Sequence, residues 1–504
     1  MNGKNQFLKK AQARKLQRFP ELNALNISWA ASFSLALLLL FNSFDWELKG
    51  FIVDSPAFYV AALYLIPAGL SLSLSICSAR GIARSGAIPV FVRRISLLLA
   101  PFALAGNIFA AIAGFTTVKK SKSLEYQLLT CAFLNNLMVI MTASLNFFKD
   151  SLPDYFAPAI SALAFTLAFY LAAMAALHRA QKTGGYKRLY PIAFASILTA
   201  ATGNIFALIL GLAIISKIRS SDSNRTIEWI ETLRRIFRNY MAVLGMLVII
   251  FLVTLSVCSI FTFDYAIATT NDYSNMLKPP SLAFPFGTDD VGRCVFTRIV
   301  FGARISLFIG IIATAIPLIA GGFLGSVAGN YGSKLDNGIM RILDIFHAVP
   351  STLLTIAIVA AFGASTFNLI IALSLSNIPV YARTMRAQVM VVSNNEFVEA
   401  ARACGRRKYE ILFKHIIPNS LAPMIVRASV SIGIAVLSTS SLSYLGLGVE
   451  PKIPEWGNIL KVGSKYLETN PYLAVYPGIF IIILVLAFNF LGDGLRDALD
   501  PKMK

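Results

Sequence analysis

The stretch 393–419, SNNEFVEAARACGRRKYEILFKHIIPN, decides the fold prediction, because it is a polar island between two long apolar segments. Ser393 and Glu396 have the S-x-x-E spacing of a capping box, which predicts that a helix starts here. Apolar side chains then recur at i, i+3, i+4 and i+7, which predicts one apolar face formed by Phe397, Ala400, Ala401 and Cys404. Gly405 follows at the position of a helix C-cap residue with positive φ.

A second short helix is predicted after this glycine. It repeats the apolar face with Tyr409, Leu412, Phe413 and Ile416, and Pro418 is expected to end it. Two short amphipathic helices joined at a glycine form a compact knob. A knob held beside a membrane suits docking into a groove on a partner protein.

The same residues resemble the EAA loop of ABC importer permeases. The resemblance rests on Glu399-Ala400-Ala401, on Gly405 after three intervening residues, and on Ile417-Pro418. The sequence of this loop is most similar to that of the C-type subunits of dipeptide, oligopeptide and nickel permeases. In that family the loop is the coupling helix that fits a cleft on the ATPase subunit. The resemblance therefore implies an ATPase-coupling role for Glu399, Ala400, Ala401, Gly405 and Pro418; the alternative is an ordinary amphipathic helix between two spans.

Other family-like motifs stand in the same order around this loop. They are FGTDDVGR (286–293), GARIS (302–306), LSYLGLG (442–448), PEWG (454–457) and NFLGDGLRDALDP (489–501). The resemblance covers residues 232–504. One departure is that Thr439-Ser440 stands where a Glu-Ala pair often precedes the LSYLGLG-like motif, which puts any role of that glutamate in doubt.

Composition places the chain among polytopic membrane proteins. Of its 504 residues 56% are hydrophobic and 14% are charged, whereas a soluble domain has about 25% charged residues. The net charge of +20 comes from basic residues in loops beside apolar segments, which is typical of cytoplasmic loops rather than of a nucleic-acid surface. The five scattered cysteines form neither a disulfide framework nor a metal-ligand spacing, so no cofactor or metal is expected.

The apolar segments predict an all-α fold of about twelve transmembrane helices, since a span needs about 20 apolar residues. We expect an N-terminal multi-span domain (1–220), a polar linker (221–239) and a permease domain (240–504) with its coupling loop at 383–419. Gly321, Gly325 and Gly329 recur every fourth residue, a spacing that favours close helix packing over substrate contact.

The N-terminal half contains a repeat, and its role is not indicated by any family-like motif. Gly106–Ala110 (GNIFA) recurs 97 residues later as Gly203–Ala207. Two units of three spans each would have opposite orientations, as in inverted-repeat transporters. Lys119, Lys120 and Lys122 would then lie outside, so either a segment is re-entrant or the span count is wrong. Chance reuse of small and apolar residues is the alternative to a true repeat.

Charge also predicts the orientation of the permease domain. Arg234, Arg235 and Arg238 before its first span place that end in the cytoplasm, so the coupling loop and both chain termini are expected there too. Counting spans from that end places residues 264–304 and 441–473 on the outer side of the membrane. Candidates for contact with a binding protein or substrate on that side are Asp289, Asp290, Arg293 and Trp456, although a charged turn and an interfacial tryptophan explain them equally well.

No G-x-x-x-x-G-K-[ST] phosphate loop occurs, so ATP hydrolysis is expected on a separate subunit and the chain is not expected to be an enzyme. The resemblance implies a permease subunit of an ABC importer for peptides or a related solute in the bacterial cytoplasmic membrane. Its partners would be a second, B-type permease, two ATP-binding subunits and an extracytoplasmic solute-binding protein. A self-contained secondary transporter and a membrane scaffold or sensor are the alternatives, and the sequence does not identify the substrate.

Overall fold

The structure, a computed structural model, describes residues 19–42, 44–45, 50–51, 56–118, 123–149, 152–183, 186–220 and 228–500. Within these residues one short antiparallel pair, Phe44–Asp45 with Gly50–Phe51, accompanies helices only. The expected all-α membrane fold is confirmed.

The first half contains eight α-helices within the described residues. They are α1 Pro20–Asn42, α2 Pro56–Ser85, α3 Val90–Ile95, α4 Ile108–Val118, α5 Leu124–Ser144, α6 Phe156–Thr183, α7 Tyr190–Thr199 and α8 Ile205–Ser220. Short 3-10 helices join some of them, at Ser96–Ala105, Leu145–Phe148, Tyr186–Leu189 and Ala200–Thr202.

The described residues of the second half form twelve more α-helices. They are α9 Glu228–Ile236, α10 Tyr240–Thr262, α11 Ala266–Thr269, α12 Val295–Asn330, α13 Ser333–Ala348, α14 Ser351–Phe362, α15 Thr366–Val392, α16 Glu396–Ala403, α17 Lys408–Ile411, α18 Ile417–Leu445, α19 Trp456–Ser464 and α20 Tyr472–Leu499. Helix α9 lies within the segment predicted to be a linker, whose residues 221–227 are outside the described part.

The chain forms two compact units. One contains residues 1–142 and 162–240, and the other contains residues 143–161 and 241–504. The second unit thus includes a short stretch from the N-terminal half of the sequence.

The number of spans differs from the sequence-based count of twelve. Among the described residues seven helices are long and apolar enough to cross a membrane, or eight if α13 and α14, which meet at 81°, form one broken span. Two of the apolar segments that were counted among the twelve spans, residues 95–117 and 190–216, are not single helices. Each breaks at the glycine of the repeated motif, Gly106 (φ 77°) or Gly203 (φ 87°).

The two broken segments are hairpins with matching contacts. A Cβ added at Gly114 would lie 2.8 Å from the Ser96 carbonyl oxygen, and one at Gly211 would lie 2.6 Å from that of Ala193. Gly211 lies 97 residues after Gly114, and Ala193 lies 97 residues after Ser96. The arms of the two hairpins therefore approach each other at equivalent positions. The structure therefore supports a true repeat over chance reuse.

An asparagine anchors the tip of each hairpin. Asn107 donates to the Ser32 hydroxyl at 2.8 Å, and Asn204 donates to the Ala132 carbonyl at 3.0 Å. Non-helical backbone at membrane depth requires such internal hydrogen bonds. Each repeat unit thus contains two long helices and one hairpin, where three spans were expected.

Helices α12 and α15 pack through the predicted glycine stripe. Added Cβ atoms at Gly321, Gly325 and Gly329 would lie 2.7, 2.2 and 3.0 Å from backbone oxygens of α15. Those glycines let the two backbones approach closely, which confirms the packing interpretation.

Candidate functional site

The predicted knob is present, but its first helix begins later than expected. Helix α15 runs to Val392, and the Ser393 amide donates to the Val389 carbonyl at 2.8 Å. Asn395 is the N-cap of α16 and has extended backbone angles. The capping-box prediction is wrong, because Ser393 completes the preceding helix.

Gly405 ends the first knob helix as predicted. Its φ is 72°, and its amide donates to the Arg402 carbonyl at 3.0 Å. The Arg406 amide donates to the Ala401 carbonyl at 3.3 Å. This pair of hydrogen bonds is a Schellman motif, which requires a left-handed residue at the glycine position.

Pro418 does not end the second knob helix. Helix α17 passes into a π-helical turn, Leu412–Ile416, and then directly into α18, where Pro418 occupies the first turn. Proline lacks an amide hydrogen and clashes with the carbonyl four residues earlier in a regular helix. The wider π turn accommodates it, so residues Lys408–Leu445 form one long candidate span.

The apolar residues of the knob divide between two faces. Val398 is fully buried in a cluster with Met385, Val389, Ile411, Leu412 and Ile416. The predicted apolar residues are therefore split: Leu412 and Ile416 lie inside the cluster, whereas Phe397, Tyr409 and Phe413 face outward and are 42%, 49% and 54% exposed. Glu399 and Ala400 are also exposed, and Ala401 is partly buried against the cluster. An outward apolar face of this kind is suited to docking on another protein.

Basic side chains surround this face. Arg402, Arg406, Arg407, Lys408 and Lys414 are all exposed. The one ion pair among these and their neighbours in the described knob joins Arg406 to Glu410 at 3.4 Å. The knob therefore presents positive charge around an apolar centre, which favours an acidic rim on its partner.

Two ion pairs tie α13 to α15 beside the knob. Arg386 contacts Asp336 with two nitrogens at 2.5 and 2.6 Å, and Arg383 contacts Asp344 at 2.6 Å. Neither pair is evident from the sequence, because the partners are 50 and 39 residues apart.

At the far end of α12, Asp289 has a structural role. It is 3% exposed, contacts Arg293 Nε at 2.7 Å, and accepts the amides of Val291 and Arg293. Arg298, which no sequence motif marks, is 1% exposed, lies 3.7 Å from Asp289 and donates to the Ala268 carbonyl. Asp290 and Arg293 keep partial exposure. The other two predicted outer contact residues, Asp289 and Trp456, are buried.

Trp456 is fully buried, and its indole nitrogen donates to the Ile299 carbonyl at 2.9 Å. Glu455, also fully buried, caps α19 by accepting the Asn458 amide at 3.0 Å. The hydroxyls of Ser440 and Ser306 donate to Glu455 at 3.3 and 3.4 Å. Burial raises the pKa of Glu455, and the hydrogen bonds from Gly457, Asn458 and the serines oppose this shift. A buried carboxylate thus touches Ser440, within the pair that departs from the family pattern.

Residues 321–504 match the family described as "Binding-protein-dependent transport system inner membrane component", and residues 228–280 match the "N-terminal TM domain of oligopeptide transport permease C". The dipeptide transport system permease protein DppC of Alkalihalophilus pseudofirmus is 44% identical over 276 residues, which are 55% of this chain and 90% of that protein. The glutathione transport system permease protein GsiD of Pectobacterium atrosepticum is 39% identical over 293 residues, 58% of this chain and 97% of that protein.

Among solved structures, an inward-facing form of the MetNI methionine ABC transporter is similar with a TM-score of 0.35 and 19% identity. That match covers 40% of this chain and 97% of the other. A likeness of this size supports no further inference.

Proposed function

Because this chain belongs to the family of binding-protein-dependent ABC importer permeases, with C-type peptide permeases among its relatives, we propose that residues 240–504 form half of the pathway for a short peptide. The observation that carries this proposal is the 44% identity that extends over 90% of a dipeptide permease. The second relative is named for glutathione, itself a small peptide. The shared substrate chemistry is therefore a short peptide with free charged ends.

In this proposal the knob transmits ATP-driven movement. The face around Phe397, Ala400 and Tyr409 inserts into a cleft of an ATP-binding subunit, and the small side chain of Ala400 permits close approach. Glu399 pairs with a basic group there. Gly405 holds the turn, and Pro418 lies where the knob passes into α18. Since α17 continues into α18 without a break, a displacement of the knob passes directly into a membrane span.

The remaining partners follow from the family. A second permease would complete the pathway, two separate subunits would hydrolyse ATP, and an extracytoplasmic binding protein would deliver the peptide. The exposed parts of Asp290 and Arg293 are the candidates for contact with the binding protein.

The hairpins of the N-terminal half support a cytoplasmic location of both termini. If the hairpins return to the side from which they enter, the basic ends of α2 (Arg80, Arg84), α6 (Lys182) and α8 (Arg219) all lie in the cytoplasm. Arg234 and Arg235 in α9 then lie there as well. This arrangement satisfies the positive-inside rule, which three-span units do not.

Purification of the tagged chain with its genomic neighbours tests the proposal. An ATP-binding subunit should co-purify with the wild-type chain, and the Gly405→Val variant should retain much less of it. Gly363→Val serves as the matched control, because Gly363 also has a positive φ (90°) and no atom within 4 Å of an added Cβ. Equal recovery of the ATPase from wild type and Gly405→Val would overturn the assigned coupling surface.

A further inference from the structure

A short turn from the N-terminal half is built into the permease unit. Residues 143–161 belong to the compact unit of residues 241–504, although they connect α5 and α6. The 3-10 helix Leu145–Phe148 forms the first part of this turn. The peptide-import proposal does not use these residues, and the inference below goes beyond it.

Apolar packing holds the start of the turn. Ala143 is fully buried in a cluster with Leu255, Phe263, Cys294, Phe296 and Val300, and Leu145 and Ile160 pack against the same cluster. Phe147 meets Phe156 edge-on at 5.0 Å between ring centroids. Such a cluster is an ordinary protein core, here shared by the turn and the permease helices α10 and α12.

Two polar side chains then bind the turn to the ends of both permease helices. Asn146 is 2% exposed and donates to the carbonyl of Thr262, the last residue of α10, at 2.8 Å. Lys149 Nζ donates to the hydroxyl of Thr297, in the first turn of α12, at 2.7 Å. The same ammonium lies 5.6 Å from the centroid of the Phe263 ring.

The placement of Lys149 costs desolvation that a water-exposed loop would avoid. Burial lowers the pKa of Lys149, and the nearby carboxylate of Asp264 opposes this shift. A lysine at a membrane boundary ordinarily keeps its ammonium in water. Here the ammonium is directed to a fully buried threonine, which indicates a specific contact.

We propose that residues 145–149, at the start of this turn, are a docking element that fastens the N-terminal half to the permease independently of the linker. The surface that receives it is formed by Thr262, Phe263 and Thr297. The two halves would accordingly remain one assembly even when the linker is cut.

Cleavage of the linker tests this inference. A protease site is inserted after Ser223 in the full-length chain, and the C-terminal tag is used for capture in detergent after cutting. The N-terminal half should remain bound in the wild-type chain. Asn146→Ala combined with Lys149→Ala should weaken its retention at least about tenfold, because a lost hydrogen bond to a charged group alone changes an equilibrium by that factor or more.

Lys182→Ala is the matched control, since Lys182 is an exposed lysine of the same half. The uncut variants are first compared by size-exclusion chromatography, and Lys149→Met replaces the double variant if the latter does not elute as a monodisperse protein. Release of the N-terminal half from the cut wild-type chain would overturn the inference. Undiminished retention in the Lys149 variants would overturn it equally, without bearing on peptide import.

Discussion

Replacement of Gly325 by alanine tests the close contact between α12 and α15. The added Cβ would lie 2.2 Å from the Ala382 carbonyl oxygen and 2.9 Å from Met385 Cβ. Because a backbone oxygen cannot rotate away, the helices must separate by about 1 Å to restore van der Waals contact. Overpacking costs about 1–3 kcal/mol, and a backbone obstacle places Gly325→Ala at the upper end.

The other glycines of α12 provide a graded series. The nearest α15 oxygen would lie 2.7 Å from a Cβ at Gly321 and 3.0 Å from one at Gly329, whereas Gly322 would meet only the mobile end of Met424 at 3.5 Å. Thermal melting of detergent-solubilised variants should therefore lower Tm in the order 325, 321, 329. Gly322→Ala should leave Tm unchanged or raise it, since alanine favours helix by about 1 kcal/mol. Equal effects at 322 and 325 would refute the packing argument.

Three further predictions concern the knob, the buried carboxylate and the topology. Gly405→Val should destabilise the knob turn by at least about 1–2 kcal/mol and reduce peptide uptake, whereas Gly405→Asn, which tolerates positive φ, should retain most of it. Glu455→Gln should raise Tm at neutral pH, because the raised pKa of Glu455 makes its ionised form unfavourable in the folded state. This gain in Tm should disappear as the pH falls to the ordinary glutamate pKa, where the carboxyl is protonated in both the folded and the unfolded state. A gain in Tm that does not change with pH would contradict this prediction. In intact cells an impermeant maleimide should label Glu468→Cys but leave the exposed native Cys404 unmodified until the cells are permeabilised; labelling of Cys404 beforehand would invert the topology.

Local chemistry explains the sequence predictions that are confirmed. The left-handed turn at Gly405 follows from a glycine between two amphipathic segments, and the packing at Gly325 follows from a four-residue period. The knob itself is within a few residues of its predicted position. The direction of its apolar face was not predictable, because Phe397 has the same helical periodicity whether it packs inside one chain or against another.

The remaining differences come from contacts between distant residues. Hydropathy cannot distinguish one span from two antiparallel arms, so in the sequence the breaks at Gly106 and Gly203 are visible only as a repeated motif. Arg298 donates to the Ala268 carbonyl 30 residues earlier, and Ser306 donates to Glu455 149 residues later, so the sequence does not indicate the burial of either charged side chain. Pro418 was expected to end a helix and instead lies in the first turn of α18, because the π turn before it is not visible in a sequence pattern.

Peptide uptake by proteoliposomes tests the central claim most directly. The chain would be reconstituted with a second permease and its ATP-binding subunits, with the binding protein and a radiolabelled dipeptide on the outer side. Accumulation should require internal ATP and should fall with Gly405→Val, and this chain alone should accumulate no peptide under an imposed proton gradient. Accumulation by the chain alone, driven by that gradient and indifferent to ATP, would show a secondary transporter and contradict the account.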